Sequence, residues 1–415
     1  MLTAELLELI RNGENSGVEF KRDDVHPDSL AKEIGALLNL RGGHILLGVE
    51  KDGSVSGLTR DRQVAEEWVI NICRQNIQPA IIPYWEVIPW DGDKLVAVIT
   101  LPVDYPDKPY KSKRGGAWVT FVRVGSTSRE ATREEEARLC QASGLMRYDI
   151  RPVPGAALED LDLRRLEDYF RQWRRQRSPR QGDLEAWTRL LLNCDLLEIL
   201  EGEPDRAAPT VGAMLLFGRN PNRFLPQAGI AAAAYPGAEK DYGTLERAVL
   251  RGPLVGWFSE AGELLESGVV EQAMEFVRRN TRVEGFITES GQRRDRWADY
   301  PLEAVREAVV NAIAHRDYSI AVTDIELSLY SDRFEVISPG RLPNTVTVEK
   351  MKLGYRATRN EMIKEVLRDY GYIEATGLGV PRKIIRGMRE HNGTEPGLVE
   401  EADRFTVRLW KERKT

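Results

Sequence analysis

A carboxylate and an amide stand four residues apart in the C-terminal third of the chain, at Glu307 and Asn311. The surrounding residues 301–316 carry apolar side chains at helical spacing behind a proline, which predicts a helix with one buried face. Residues four apart on a helix are neighbours on its surface. An amide oxygen is a hard ligand for magnesium and a carboxylate can orient water, so the pair suits a metal-bound triphosphate. The same spacing also occurs by chance in many helices.

Two glycine turns follow this helix, and each would let backbone approach a ligand closely. Gly340 comes directly after a predicted pair of strands, and Gly377 and Gly379 precede a predicted helix at 381–389. Glycines before a helix N-terminus allow backbone N–H groups to surround a phosphate. The predicted nucleotide-site residues are therefore Glu307, Asn311, Gly340, Gly377 and Gly379.

These motifs, in this order, resemble the GHKL ATP-binding fold, and more closely its RecG-like C-terminal branch. The closer resemblance rests on Asn311-Ala312 with His315-Arg316-Asp317-Tyr318, on Ser338-Pro339-Gly340-Arg341-Leu342-Pro343 and on Thr358-Arg359-Asn360. It implies that Asn311 holds Mg²⁺, that Glu307 activates water, and that the three glycines line the bound ATP. The wider pattern places an adenine-recognising aspartate before the first glycine, where this chain has Ser338-Pro339. Adenine specificity and hydrolysis therefore stay open, as does a degenerate fold in which these residues only pack.

Three blocks near the N-terminus combine carboxylates with glycine-rich turns. They run from residue 14 to 21, from 39 to 49 and from 53 to 58. Their order, spacing and residue types resemble the AlbA-like Schlafen domain, a family regarded as nucleic-acid-binding, in which some members cut RNA with acidic residues. The resemblance makes Glu14, Glu19 and Glu50 candidate catalytic residues and metal ligands, with Glu50 where an aspartate is usual.

Three carboxylates brought together beside Lys21 would hold a divalent metal, Mg²⁺ or Mn²⁺, able to stabilise a phosphorane and activate water. Asp52 is a nearby substitute for the usual aspartate. The alternative is that these carboxylates are solvated surface charge.

Cations gather near aromatic residues in two stretches of the chain. In the first, Tyr110 and Trp118 accompany a cluster in which cations would follow phosphates while a ring stacks on a base. The candidate nucleic-acid-binding residues are Lys21, Lys108, Lys111, Lys113, Arg114 and Arg123. A solvated hairpin is the alternative. The arginines between Arg164 and Arg180 form either a second phosphate contact or an amphipathic helix paired with nearby acids.

Composition limits the classes of protein open to this chain. A formal charge of −6 excludes a protein that is basic overall, so nucleic-acid binding would depend on local patches. The apolar and charged fractions, 42% and 30%, are those of a soluble globular protein, and no signal peptide or long apolar segment is visible. We expect a cytoplasmic protein without a membrane partner. Three cysteines without a CxxC pair predict neither disulfides nor structural zinc.

The length of 415 residues predicts two or three domains. The predicted fold class is α+β, with an AlbA-like domain over 1–148, a mainly helical middle domain over 149–300 and a GHKL-like α/β sandwich over 301–415. A linker-like Arg-Pro-Val-Pro-Gly segment near residue 150 indicates the first boundary.

The predicted function is a nucleic-acid-binding protein with an ATP-binding module, acting as a nucleotide-gated regulator, for example of transcription, or as a defence-type factor. The alternatives are a metal-dependent nuclease acting on RNA or DNA and a non-catalytic assembly protein. A helicase is not supported, because the sequence contains no GxxxxGK[ST] phosphate loop. The choice between DNA and RNA and the existence of a homo-oligomer stay open.

Overall fold

A computed structural model describes residues 3–102, 107–180, 182–287, 293–297, 299–343, 346–355, 357–374, 377–401 and 403–411. The chain forms two compact units, Met1–Met146 and Arg147–Thr415. The first unit ends close to the boundary predicted at residue 148. Residues on both sides of the boundary predicted at residue 300 belong to the second unit, and that boundary stays a prediction.

Helices and short strands alternate in the N-terminal unit. Its helices are α1 (Thr3–Asn12), α2 (Pro27–Asn39), α3 (Arg62–Gln75) and α4 (Arg133–Ala142). Its strands are β1 (Val18–Lys21), β2 (Gly43–Leu47), β3 (Ile77–Gln78), β4 (Tyr84–Pro89), β5 (Leu95–Leu101), β6 (Lys111–Arg114), β7 (Ala117–Val124) and β8 (Thr127–Glu130). They form two four-stranded sheets, ordered β1-β2-β5-β4 and β3-β6-β7-β8.

Helix α2 connects the two sheets of this unit. Proline at its first turn and an apolar side facing the core explain why the helix begins at Pro27 and is buried along most of its length. At its end, the Asn39 amide donates to the carbonyls of Tyr110 and Phe121 at 2.8 Å, and Tyr110 N–H donates back to Asn39 Oδ1. These hydrogen bonds tie the helix end to the second sheet.

The C-terminal unit contains nine α-helices among the described residues. They are α5 (Leu163–Asp168), α6 (Leu184–Leu192), α7 (Val211–Phe217), α8 (Pro221–Phe224), α9 (Val269–Arg279), α10 (Leu302–His315), α11 (Val348–Lys352), α12 (Glu361–Asp369) and α13 (Gly387–Asn392). A 3₁₀ turn covers Leu158–Asp160, and π-helical turns cover Tyr169–Trp173 and Gly379–Arg386.

The strands of this unit form short hairpins and one large sheet. They are β9 (Leu197–Leu200), β10 (Glu203–Pro209), β11 (Ile230–Ala234), β12 (Glu246–Leu250), β13 (Trp257–Phe258), β14 (Leu264–Glu266), β15 (Val283–Ile287), β16 (Arg293–Trp297), β17 (Ile325–Leu329), β18 (Arg333–Pro339), β19 (Gly397–Glu401) and β20 (Arg404–Trp410). The large sheet has the order β12-β11-β17-β18-β20-β19, with β11 parallel to β17. Helix α10 packs on this sheet through a buried apolar side.

The α+β class is confirmed. Strands β11 and β12 come from residues 230–250, in the predicted middle domain; they pair with each other, and β11 also pairs with β17 in the large sheet. The alanine-rich sequence of β11 has a high intrinsic helix propensity, which tertiary pairing overrides here. Residues 230–250 therefore share a sheet with the C-terminal strands.

Candidate nucleotide site and nucleic-acid surface

The middle turns of α10 place Glu307 and Asn311 side by side. Asn311 Nδ2 donates a hydrogen bond to Glu307 Oε1 at 3.0 Å, and the Glu307 residue is only 7% exposed. Because the amide nitrogen is used in this bond, Asn311 Oδ1 remains the acceptor of that side chain. The helical spacing predicted this pairing, and the structure contains it.

The Glu307 carboxylate lies directly against Gly379. A Cβ atom at position 379 would stand 1.8 Å from Glu307 Oε1, so glycine is needed for this close approach. Gly379 therefore makes room for the carboxylate. This contact differs from the predicted one, in which the glycine backbone faces a phosphate.

Lys383 was not among the predicted site residues, although it lies one helical turn after Gly379. Its Nζ is 2.9 Å from Glu374 Oε1, 3.5 Å from Glu303 Oε2 and 3.8 Å from Glu307 Oε2. Burial raises the pKa of Glu307, and the Asn311 hydrogen bond and the Lys383 cation oppose this rise. The charge of Lys383 thus partly offsets the charges of three carboxylates. Its position four residues after Gly379 is the sequence feature from which Lys383 could have been predicted.

One cavity of the C-terminal unit is lined by Glu307, Asn311, Gly340, Gly377 and Gly379 together. Gly340 and Gly377 have φ angles of 109° and 71°, which side chains other than glycine rarely adopt. Apolar residues form most of the wall: Ala308, Ala312, Val336, Leu342, Met351, Ile384, Leu398 and Val407. A mostly apolar cavity with a few polar groups at defined places is typical of a small-molecule site.

Two further polar residues line this cavity at the far end of α10. Ser338 Oγ donates to the carbonyl of Ala312 at 2.8 Å. The His315 ring, four residues beyond Asn311, makes no hydrogen bond among the described residues. Burial, together with the cations Lys364 and Arg359, lowers the pKa of His315 from 6.5 to about 4. The imidazole is therefore neutral at pH 7.

Replacing His315 with asparagine should flatten the pH dependence of stability between about pH 6.5 and pH 4. A lowered folded-state pKa means that the unfolded chain binds the proton first as pH falls, so stability present above pH 6.5 is lost through this window. The loss amounts to at most about 3 kcal/mol, from ~1.4 kcal/mol per pKa unit. Denaturant unfolding of both proteins across this range measures it. Parallel pH profiles would show that His315 titrates normally.

In the N-terminal unit, Glu14, Glu19 and Glu50 line one cavity together with Lys21. However, Glu19 is buried, forms an ion pair with Lys21, and lies 2.8 Å from Arg123 Nη2 through its other oxygen. Glu14 Oε1 accepts the backbone N–H of Phe20 at 3.2 Å. Among the described residues, no group of three or more His, Cys, Asp or Glu side chains is arranged to hold a metal ion. The structure therefore shows Glu19 in ion pairs, and the three-carboxylate metal centre stays a prediction.

Arg123 and Lys108 are corrected, because both are buried. The Arg123 side chain is 0% exposed and lies 3.3 Å from Glu33 Oε2. It also donates to the carbonyls of Asn15 and Val18. Lys108 Nζ donates to the carbonyl of Leu40 at 2.8 Å. Side chains alternate between the two faces of a strand, so Arg123 lies on the same face of β7 as buried Phe121. This alternation could have predicted that Arg123 is buried.

Three of the other predicted cations lie on the β6–β7 hairpin, whereas Lys21 lies on β1, where it pairs with Glu19. Lys113 is exposed and stands directly opposite Trp118, whose residue is 41% exposed. Lys111 pairs with Glu136 at 2.8 Å, and Arg114 pairs with Glu130 at 2.7 Å. The Lys113 cation and the Trp118 ring are therefore cross-strand neighbours.

Most arginines of the helical segment that begins with α5 form ion pairs with acidic side chains. Pairs join Arg164 to Asp162, Arg165 to Glu266, Arg171 to Asp168 and Glu260, and Arg174 to Glu365 and Asp369. For these four arginines the structure favours the acid-paired helix over the second phosphate contact.

Family models match one segment in each of the two units. Residues 14–132 match the family "Schlafen, AlbA_2", and residues 323–409 match the family "Putative ATP-dependent DNA helicase recG C-terminal". The recognition made from the sequence motifs is thereby confirmed. The second match begins after α10, so Glu307 and Asn311 lie outside the matched segment.

Several solved structures are similar to this chain, among them the following two. The DIP2311 protein from Corynebacterium diphtheriae is 20% identical, with a TM-score of 0.45, over 99% of this chain and 80% of that one. The N-terminal domain of a "putative ATP-dependent DNA helicase RecG-related protein" from Nitrosomonas europaea is 25% identical, with a TM-score of 0.25, over 32% of this chain and 95% of that one. No curated protein matches the sequence. Among the described residues, no helix has the length and apolar character needed to span a membrane.

Proposed function

We propose that this chain is a nucleic-acid-related ATP-binding protein whose C-terminal cavity holds a magnesium–nucleoside triphosphate. The observation that carries the proposal is the convergence of Glu307, Asn311, Gly340, Gly377 and Gly379 on one cavity. The match to a RecG-type C-terminal family supports the same ligand class.

The residues present fit a magnesium ion at the Glu307 end of the cavity. Asn311 Oδ1 is a hard oxygen that is not used as a donor in the hydrogen bond to Glu307, so it would hold the metal. A bound Mg²⁺ would neutralise phosphate charge. Glu307, buried and with a raised pKa, would accept a proton from water. Lys383 limits the negative charge that three carboxylates would present to a phosphate.

Replacing Asn311 with alanine should weaken Mg-ATP binding by at least about tenfold, which corresponds to losing ~1.4 kcal/mol of binding free energy. The physical reason is the loss of the amide oxygen and of its hydrogen bond to Glu307. Calorimetric titration of the full chain measures the effect. Asn220→Ala is the matched control, because Asn220 is exposed and does not line the cavity. Equal affinity in the two variants would exclude Asn311 as a ligand.

The N-terminal unit is proposed to contact nucleic acid through the Lys113–Trp118 surface of the β6–β7 hairpin. A cation beside an exposed ring suits a single strand, in which phosphates are neutralised and bases stack. The match to the Schlafen, AlbA_2 family supports this unit as the nucleic-acid-related part. A nuclease is not proposed, since Glu19 is already paired with two cations.

Trp118→Ala should cost about 1–3 kcal/mol of single-strand binding free energy, the usual value of one base-stacking contact. Lys113→Ala should lower the slope of log affinity against log salt by roughly 0.7–0.9, because one fewer counterion is released. Fluorescence anisotropy with labelled RNA and DNA over a salt series measures both. Arg62→Ala, which removes an exposed cation at the start of α3, is the control. If Trp118→Ala and Lys113→Ala bind like wild type and like the control, the contact surface lies elsewhere.

We further propose that nucleotide in the C-terminal unit gates nucleic-acid binding, which would make the chain a regulator. The same anisotropy assay, run with and without Mg-ATP, tests this proposal. A nucleotide effect present in wild type and absent in Asn311→Ala supports gating, whereas identical affinities with and without Mg-ATP contradict it.

A further inference from the structure

At the end of the cavity opposite Glu307, Ser338 stands where the GHKL pattern places an adenine-recognising aspartate. Ser338 Oγ donates a hydrogen bond to the Ala312 carbonyl at 2.8 Å. A hydroxyl has a single donor, so Ser338 Oγ is left only with acceptor capacity toward the cavity. A carboxylate selects an amino group strongly, whereas this half-used hydroxyl is a weaker selector.

His315 is the second polar group at this end. It follows Asn311 by four residues on α10, so both side chains lie on one side of the helix and line the same cavity. No hydrogen bond to its ring is present within the described part of the chain, which leaves both nitrogens available. A neutral imidazole offers one N–H donor and one acceptor, and its tautomer can adjust to its partner.

The surroundings of His315 favour a ligand that brings its own hydrogen-bonding groups. Lys364 lines the same cavity and Arg359 lies nearby, and both are cations that disfavour a charged imidazole. Arg359 is itself held by the carbonyls of His315 and Arg341. Lys364 can only donate hydrogen bonds, whereas the imidazole can both donate and accept.

We propose that His315 reads the base of the bound nucleotide, and that the site accepts 6-amino and 6-oxo purines alike. This inference rests on the proposed nucleotide binding. An acceptor-only carboxylate would leave a 6-oxo group facing like charge, whereas the imidazole can donate to a 6-oxo oxygen or accept from a 6-amino group. Strong discrimination requires a polar group left unpaired by the wrong ligand, and an adaptable ring avoids this penalty.

The test is a titration of the full chain with Mg-ATP, Mg-GTP and inorganic tripolyphosphate with magnesium. Wild type should bind ATP and GTP with affinities within about tenfold of each other. His315→Ala should weaken both nucleotides by at least about tenfold and change tripolyphosphate affinity by less than about twofold. His315→Asn retains one donor and one acceptor, so it should recover most of the nucleotide affinity. Thermal unfolding of each variant checks that the fold is intact.

The contrary outcomes separate this inference from the proposal beneath it. A preference for ATP over GTP of more than about a hundredfold, or nucleotide affinities unchanged in a folded His315→Ala variant, would overturn base reading by His315 while leaving nucleotide binding standing. If His315→Ala weakened tripolyphosphate as much as ATP, the residue would act on phosphate and the inference would fail. Absence of binding by all three ligands to folded wild type would overturn the proposed function, and this inference with it.

Discussion

Replacing Arg123 with methionine should lower the free energy of unfolding of the N-terminal unit by about 3–5 kcal/mol, the usual cost of removing one partner from a buried ion pair. The Arg123 guanidinium is fully buried and lies 2.8 Å from Glu19 Oε2 and 3.3 Å from Glu33 Oε2. The substitution removes the positive charge that compensates the buried Glu19 and Glu33 carboxylates. It also removes the hydrogen-bond donor to the carbonyls of Asn15 and Val18.

Denaturant unfolding of the full chain measures this loss, with Arg114→Met as the matched control. Arg114 pairs with Glu130 at 2.7 Å, but both side chains are more than half exposed, so its loss should cost less than about 1 kcal/mol. Adding Glu19→Gln and Glu33→Gln to the Arg123→Met chain should recover part of the stability, because the uncompensated charges are then absent. Similar losses for Arg123→Met and Arg114→Met would show that the buried network is not stabilising.

Gly340→Ala should destabilise the C-terminal unit by about 2–5 kcal/mol, from backbone strain together with overpacking. The φ angle of 109° is unfavourable for alanine, and the added Cβ would lie 2.6 Å from Asp317 Cβ and 2.3 Å from Arg359 Nη1. The Asp317 Cβ is bonded directly to the backbone, so it cannot move away unless the backbone of Asp317 moves. Any relaxation shifts the turn that lines the nucleotide cavity, so Mg-ATP affinity should fall as well.

Gly371→Ala provides the control for this substitution. Gly371 has a φ angle of 71°, but a Cβ there would meet nothing within 4 Å, so only the backbone strain of about 1 kcal/mol is expected. Thermal unfolding and Mg-ATP titration of both variants separate packing from strain. Equal destabilisation by the two substitutions would mean that the contacts of Gly340 with Asp317 and Arg359 relax freely.

Local spacing was sufficient to predict the Glu307 end of the cavity. Two residues four apart on a helix must be neighbours, and the hydrogen bond between Asn311 and Glu307 follows from that geometry. The positive φ of Gly340 and Gly377 likewise follows from residue type at turns. Their roles in nucleotide binding stay a prediction until ligand binding is measured.

Long-range pairing was not predictable from local patterns. Strand β11 is an alanine-rich segment, and only its two neighbours in the sheet make it a strand. The ion pairs of the acid cluster were not predictable for a similar reason, because the partner of Glu19 and Glu33 is Arg123, about a hundred residues away in sequence. Side-chain alternation in β7 indicates a buried Arg123, but the acids that compensate it come from other elements.

The most direct test of nucleotide binding in the C-terminal cavity is photolabelling of the full chain with 8-azido-ATP and magnesium, followed by peptide mapping. The label should fall on peptides that line the far end of the cavity, around His315 or within residues 338–355, and excess ATP should suppress it. Asn311→Ala should label much more weakly under the same conditions. Suppressible label of unchanged strength in the Asn311→Ala chain would exclude Asn311 as a ligand, and ATP-suppressible label confined to residues 3–146 would contradict nucleotide binding at this site.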